Sequence, residues 1–148
     1  PALPAAGGGN DAMSESGFDI GLGDPSQAGV FEVDSADLPA LAAAARDAGL
    51  LALRIDLAGC DGKRALLLRL ATVLDLPAGR GGNWDALMDA LRDLSWLPAP
   101  GYALLFDGTA QLHAALPHET DVLLGILQEA SQWWAEADVP FWAFLAGP

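Results

Sequence analysis

The feature that most constrains the fold is a short apolar run, Tyr102–Phe106, that contains no charged residue. A strand with one face in water normally alternates apolar and polar residues, because successive side chains point to opposite faces. A run without this alternation is typical of a strand in a parallel sheet that is covered by helices on both faces. We therefore expect a central β-strand between two helical layers.

Segments of strand and helix character alternate along the rest of the chain. The predicted strands are 30–33, 50–57, 102–106 and 141–145, and the predicted helices are 37–48, 63–74, 84–94, 109–115 and 117–137. Gly49 suits the end of a helix and Pro117 suits the first turn of one. This alternation indicates an α/β layered fold, with a small, mostly parallel sheet of three or four strands flanked by helices.

Length and composition predict one main domain with an N-terminal addition. A chain of 148 residues can bury a core without disulfides or metals. Residues 1–28 are acidic and rich in Gly and Ala, which predicts a tail that docks loosely at most. Residues 29–49 form a strand–helix extension, which we expect to add an edge strand to the sheet. Residues 50–148 form the main domain.

The charge balance indicates the class of partner. Twenty acidic residues oppose seven basic ones, which gives a net charge of −13. Such a field repels nucleic acid and anionic membranes and attracts basic proteins, although acidity can also serve solubility alone. No apolar run approaches the roughly 18 residues of a membrane span, and no secretory signal pattern is visible. With one cysteine, no disulfide can form within the chain. We expect a cytoplasmic protein that binds neither nucleic acid nor membranes directly.

An acidic stripe marks the predicted helix 84–94. Asn83 is a favourable N-cap for this helix. The apolar residues Trp84, Leu87, Met88, Leu91 and Leu94 share one face, and Asp85, Asp89 and Asp93 follow one another at one-turn intervals on an adjacent stripe. Like charges at this spacing destabilise a helix by a few tenths of a kcal/mol per pair, so helix stability alone does not favour the stripe. A face that is merely solvated is the alternative interpretation.

The residues around this helix also form a longer pattern. Pro77 is followed by Gly81, Asn83, Trp84, Asp85, Ala86, Leu87, Asp89 and Leu91, and later by Arg92-Asp93-Leu94-Ser95-Trp96 and Val139-Pro140-Phe141. This pattern resembles the signature of the barstar family, often written G-x-N-x-D-A-L-x-D-x-L. The resemblance runs from about Leu50 to Leu145. It implies a barstar-like domain with a parallel sheet flanked by helices, which plugs the active site of a ribonuclease.

The resemblance also implies which residues bind the partner. Asp85 and Asp89 would take the places of RNA phosphates among catalytic Arg, Lys and His side chains. Desolvated carboxylates form strong, charge-assisted hydrogen bonds with such groups. The flanking contact positions match Gly81, Asn83 and Trp84, a rim position matches Trp96, and an acidic position in a later helix matches Glu129. Arg80, Met88 and Asp93 complete the predicted partner-binding set.

Three positions depart from the family pattern. Gly79 and Arg80 stand where aromatic residues are common, and Met88 stands where tryptophan is common. Two functions therefore stay open. The chain is either an inhibitor or immunity protein for a ribonuclease or toxin nuclease, or a barstar-like module that binds a non-nuclease basic partner.

The remaining polar residues predict no catalytic, metal or cofactor site. His113 and His118 have no third ligand at a zinc-binding spacing, and no catalytic His accompanies Cys60. The glycines at 79–82 lack the Lys-Ser/Thr ending of a phosphate-binding loop. We therefore expect no enzymatic activity, no cofactor and no metal.

Overall fold

A computed structural model describes residues 21–147 and contains a four-stranded sheet between helical layers. The strands are β1 (Val30–Val33), β2 (Leu51–Asp56), β3 (Tyr102–Asp107) and β4 (Phe141–Ala146). The helices are α1 (Leu38–Asp47), α2 (Lys63–Val73), α3 (Trp84–Leu91), α4 (Thr109–Ala115) and α5 (Pro117–Glu136), and Pro25–Gln27 and Ser35–Asp37 form 3-10 turns. The predicted α/β fold is confirmed.

All strand pairs are parallel, in the spatial order β1-β4-β3-β2. Tyr102 at the start of β3 lies opposite Leu51 on one side and Phe141 on the other. The run Tyr102–Phe106 is buried throughout, as its lack of alternation predicts. β1 pairs with the outer side of β4, so the N-terminal extension adds the expected edge strand.

Two apolar clusters, one on each face of the sheet, hold the helices. Leu104 and Phe106 of β3 belong to a cluster with α2, α3 and α5, whereas Ala103 and Leu105 belong to a cluster with α1. β4 divides in the same way, because side chains alternate across a strand. The sheet thus positions α3 on the face opposite to α1.

The N-terminal segment joins the α1 face. Residues 1–20 of the predicted tail lie outside the described residues. From Gly21 onward the chain packs on the protein: Leu22 is buried in the α1 cluster, and its carbonyl oxygen accepts a hydrogen bond from Trp142 Nε1 at 2.8 Å. The division of the chain at residues 28 and 49 stays a prediction. Within residues 21–147, no helix has the length and apolar character that crossing a membrane requires.

Two leucines on α2 provide a matched test of the packing. Leu66 is fully buried, whereas Leu68 is 66% exposed. We expect Leu66→Ala to lower the free energy of unfolding by about 2–5 kcal/mol, because it leaves a cavity in the core. We expect Leu68→Ala to change it by less than about 0.5 kcal/mol. Urea denaturation followed by fluorescence measures both values, and equal effects would contradict the assigned orientation of α2.

Candidate protein-binding site

The loop before α3 packs closely against α2 at Gly81. A Cβ atom added to Gly81 would lie 2.8 Å from Leu76 Cδ1 and 3.0 Å from Ala71 Cβ. The same loop is tied to α2 by a backbone hydrogen bond from Leu76 N to Ala71 O at 2.9 Å. The glycine therefore lets the loop that precedes α3 approach α2.

α3 begins at Trp84 and packs its apolar face against α2 and α5. The side chain of Asn83 accepts a hydrogen bond from Ala86 N at 2.7 Å, which is the predicted N-cap. Leu87 and Leu91 are buried in the core. Asp85 and Asp89 lie on the opposite side of the helix and are both exposed. The predicted exposure of this acidic pair is confirmed.

The acidic stripe is shorter than the sequence predicts. α3 ends at Leu91 and not at residue 94, so Asp93 is not on the helix. The chain turns because Leu94 adopts a left-handed conformation (φ 50°) while its side chain is buried in the core. Burial of a leucine is worth about 1.5–3 kcal/mol, which exceeds the cost of about 1–2 kcal/mol for the left-handed backbone. Tertiary packing thus ends the helix early.

Asp93 instead forms an ion pair with Arg80. The distance from Arg80 Nη1 to Asp93 Oδ2 is 2.8 Å, and the hydrogen bond from Arg80 lowers the pKa of Asp93. The guanidinium also lies 5.2 Å from the centre of the Trp96 ring. Trp96 is fixed in turn, because its Nε1 donates to Leu74 O at 3.0 Å. The positive charge before α3 is thereby compensated and held against the loop.

Two of the predicted contact residues face the protein rather than solvent. Met88 is only 9% exposed and belongs to the core. Trp84 is half-buried, and its Nε1 donates to Glu119 Oε1 at 3.1 Å. The assignment of a partner contact to these two residues stays a prediction, and their observed role is to hold α3.

Two tryptophans of α5 satisfy carbonyl groups at the end of α3. Trp134 Nε1 donates to Leu91 O at 2.7 Å, and Trp133 Nε1 donates to Arg92 O at 3.0 Å. The last carbonyl groups of a helix have no partner within the helix, so these indoles replace water as donors. Both ends of α3 are therefore anchored by side chains.

Glu129 lies beside this end of α3. Its Oε1 is 3.5 Å from Arg92 Nη2, and its side chain is 64% exposed. The Arg92 guanidinium also lies 5.7 Å from the centre of the Trp133 ring. Glu129 is thus near α3, as predicted, and it compensates a cation at the rim of the site.

Asp85 and Asp89 differ from these paired acids. Among residues 21–147, the ion pairs are Arg54–Asp107, Arg80–Asp93 and Arg92–Glu129. Neither Asp85 nor Asp89 has a cationic partner in that part of the chain. Four residues along a helix correspond to a rise of about 6 Å, so two uncompensated carboxylates stand about one turn apart on a fixed helix. This arrangement can bind cationic groups of another molecule.

The other polar residues form no comparable site. His113 and His118 are exposed, and Cys60 is buried, which raises the pKa of its thiol. No group of three His, Cys, Asp or Glu side chains in residues 21–147 is arranged to hold a metal ion.

One family model matches the part of the chain that contains the sheet strands β2 to β4 and the acidic helix. The family model described as barstar (barnase inhibitor) matches residues 50–146, which include β2 to β4 and α2 to α5. The chain belongs to the barstar family. No curated protein sequence matches it closely enough to count as a relative. β1 and α1 precede the matched residues, so the fourth strand is an addition to the barstar-family region.

The sequence patterns did not identify the residues of other elements that hold α3 in place. Glu119, Trp133 and Trp134 all belong to α5 and contact α3 or the turn after it. Trp134 was a visible signal, because the N–H of a partly buried indole requires an acceptor, whereas Trp133 is 48% exposed. The identity of the acceptors depends on how α5 crosses α3, which no local pattern encodes.

The N-cap of α3 can be tested by two substitutions of the same residue. We expect Asn83→Ala to lower the free energy of unfolding by about 1 kcal/mol, because the Ala86 amide loses its acceptor. Asn83→Asp keeps an acceptor oxygen and serves as the control, which we expect to stay within about 0.5 kcal/mol of wild type. Chemical denaturation gives both values. An Ala variant as stable as the Asp variant would contradict the capping role.

The Arg80–Asp93 pair predicts a pH effect with a defined sign. Because Arg80 lowers the pKa of Asp93, the pair stabilises the fold above the unfolded-state pKa, and this contribution is lost as the pH falls through the folded-state pKa. We expect Arg80→Gln to raise the pKa of Asp93 towards its ordinary value. We also expect the stability difference from wild type to disappear at acid pH. NMR titration of the carboxyl carbon measures the pKa, and an unchanged value in the variant would exclude the pairing.

Proposed function

We propose that this chain is a stoichiometric inhibitor, acting as an immunity protein, that occupies the active site of a ribonuclease or toxin nuclease. Asp85 and Asp89 would stand in for RNA phosphates in the enzyme's cationic cleft. Membership of the barstar family supports this class of partner. The chain would act by binding alone, inside the cell that makes the nuclease, and would itself catalyse no reaction.

The observation that carries the proposal is the uncompensated acidic pair on α3. A ribonuclease must hold phosphate groups with positive side chains, and carboxylates bound in their place form charge-assisted hydrogen bonds. An acid already paired within its own protein would have to break that pair before binding. Asp85 and Asp89 have no such pair among residues 21–147, so they can enter a cationic cleft without losing an internal interaction.

The anchoring of α3 supports the same role. Binding costs free energy when loops or side chains must be ordered, and a preorganised surface avoids part of this cost. Asn83 fixes the start of α3, and Trp133 and Trp134 fix the carbonyl groups at its end. The two carboxylates therefore sit on a backbone that needs no rearrangement in order to bind.

Ion pairing next to α3 leaves the electrostatic field around the helix negative. Arg80 and Arg92 flank the helix in sequence, and each is paired with a carboxylate. With a net charge of −13, the protein attracts a basic enzyme over a distance of about one Debye length. Gly81, Asn83, Trp96 and Glu129 are the proposed flanking contacts. Association should accordingly slow as salt is added.

The test is a titration of RNA cleavage with matched acidic variants. We expect the wild type to inhibit with one-to-one stoichiometry, and we expect Asp89→Asn or Asp85→Asn to lose about 2–5 kcal/mol of binding free energy, because cationic groups in the cleft stay unpaired. Asp47→Asn removes the same charge from an exposed site on α1, on the other face of the sheet, and should bind nearly as wild type. Barnase is the first enzyme to test, followed by basic proteins captured from the source cells.

The outcomes separate the two functions that the sequence leaves open. A captured enzyme that cleaves RNA, and that is inhibited by the wild type but not by the Asp89 variant, supports the inhibitor. A captured partner that depends on Asp85 and Asp89 but does not cleave RNA would instead show a barstar-like module for a non-nuclease basic protein. Equal binding by Asp47→Asn and Asp89→Asn would contradict the role of α3 in either case.

A further inference from the structure

A groove of about 730 Å³ lies between α2 and the loop that leads into α3. Its lining is largely apolar, with two basic residues at one side, and consists of Lys63, Arg64, Leu67, Leu68, Ala71, Leu76, Pro77, Ala78, Gly79, Gly81 and Gly82. The volume lies within the range of about 300–1,000 Å³ that is usual for compact ligands. It is therefore large enough to receive side chains of another molecule.

The two basic residues of the groove have no partner in the described part of the chain. Three of the seven basic residues form ion pairs, Arg69 donates to the carbonyl groups of Asp56 and Ala58, and Arg46 on α1 forms neither kind of contact within residues 21–147. Lys63 and Arg64 form no ion pair or hydrogen bond with residues 21–147, although the protein carries an excess of thirteen negative charges. Nothing within residues 21–147 compensates their charge, so they can pair with an anion from outside that part of the chain.

Helix stability does not account for these cations. Lys63 and Arg64 occupy the first turn of α2, where the helix macrodipole favours acidic residues and disfavours basic ones. Leu68, one turn further along, leaves two thirds of its side chain exposed beside them. The combination of a basic rim and an exposed apolar side chain indicates a surface adapted to an external segment.

The groove is continuous with the proposed interface. Gly81 and Gly82 line the groove and directly precede Asn83, the N-cap of α3. A partner that binds α3 could therefore contact the groove in the same complex. The surface would present two signs of charge side by side, with carboxylates on α3 and cations on α2.

We propose that the groove receives a segment of the same nuclease in which an apolar side chain is flanked by carboxylates. This inference rests on the proposed function, since the nuclease is the partner assigned to α3. The apolar side chain would contact Leu68 and Leu76, and the carboxylates would pair with Lys63 and Arg64. Adjacent patches of opposite sign allow one orientation of the partner and disfavour the reverse, so the groove would supply specificity that the acidic helix alone lacks.

The first experiment tests the groove without the nuclease. A fluorescein-labelled peptide of alternating glutamate and leucine is titrated with the full chain, and its polarisation gives the affinity. We expect binding despite the overall negative charge, and we expect Arg64→Glu to weaken it at least about fivefold. Arg46→Glu makes the same charge change at an exposed site on α1 and should leave it unchanged, as should Asp85→Asn. No binding, or equal binding by both arginine variants, would overturn the proposal.

The second experiment uses the ribonuclease that the protein inhibits. Charge attraction and the groove predict opposite changes in its affinity for the Arg64→Glu variant. Arg64→Glu makes the inhibitor more acidic, so simple attraction to a basic enzyme predicts tighter binding. The groove predicts weaker binding, again by at least about fivefold, while Arg46→Glu should bind at least as tightly as wild type. Binding of Arg64→Glu at or above the wild-type affinity would overturn the groove and leave the role of Asp85 and Asp89 intact.

The two arms also separate failure of the groove from failure of the proposed function. Peptide binding that depends on Arg64, with no ribonuclease inhibited, would overturn the inhibitor function and leave the groove as a site for acidic, apolar segments. Sedimentation of wild type and Arg64→Glu identifies a second copy as the occupant. A wild-type dimer that the variant converts to monomer, without any loss of ribonuclease affinity, would overturn the proposal.

Discussion

The structure depends on the burial of β3 and β4 on both faces. Side chains of these two strands alternate between an apolar cluster that holds α1 and one that holds α2, α3 and α5. The free energy of hydrophobic burial depends on apolar area and not on orientation. The alternation of side chains across the sheet therefore decides which helices pack on each face. Phe106 and Leu105, adjacent in the chain, each support a different layer. The position of the acidic helix follows from the layer to which α3 belongs.

Within that layer, hydrogen bonds from and to side chains stabilise the short helix α3 at both ends. An isolated helix of eight residues is not stable in water, because nucleation is costly and few hydrogen bonds form. α3 compensates through Asn83 at its start and through Trp133 and Trp134 at its end. All five tryptophans of the chain donate their indole N–H to an acceptor within the protein, and three of these bonds fix α3 or the turn after it. Both ends of α3 are therefore held by side chains of the surrounding elements.

Ion pairing also fixes the charges that flank α3. Arg80 and Arg92 flank α3, and pairing with Asp93 and Glu129 prevents either from neutralising the acidic pair. Exposed ion pairs of this kind contribute little to stability, about 0–1 kcal/mol each. Their effect is to fix the positions of the charged groups that flank α3. Lys63 and Arg64, which lack such partners within residues 21–147, form the one basic rim that the described surface presents beside α3.

The sequence by itself determined the order of strands and helices, the parallel sheet, the N-cap at Asn83 and the exposure of Asp85 and Asp89, because these features depend on local periodicity and on residues close in the chain. The residues matched by the barstar-family model were also recognisable from the sequence. Only the tertiary structure decided that α3 ends at Leu91, that Asp93 pairs with Arg80, and that the Trp84 indole donates to Glu119. Each of these depends on a contact between separate elements or on the competition between burial and backbone strain at Leu94. Such contacts are set by how helices cross the sheet, and helical spacing alone does not contain that information.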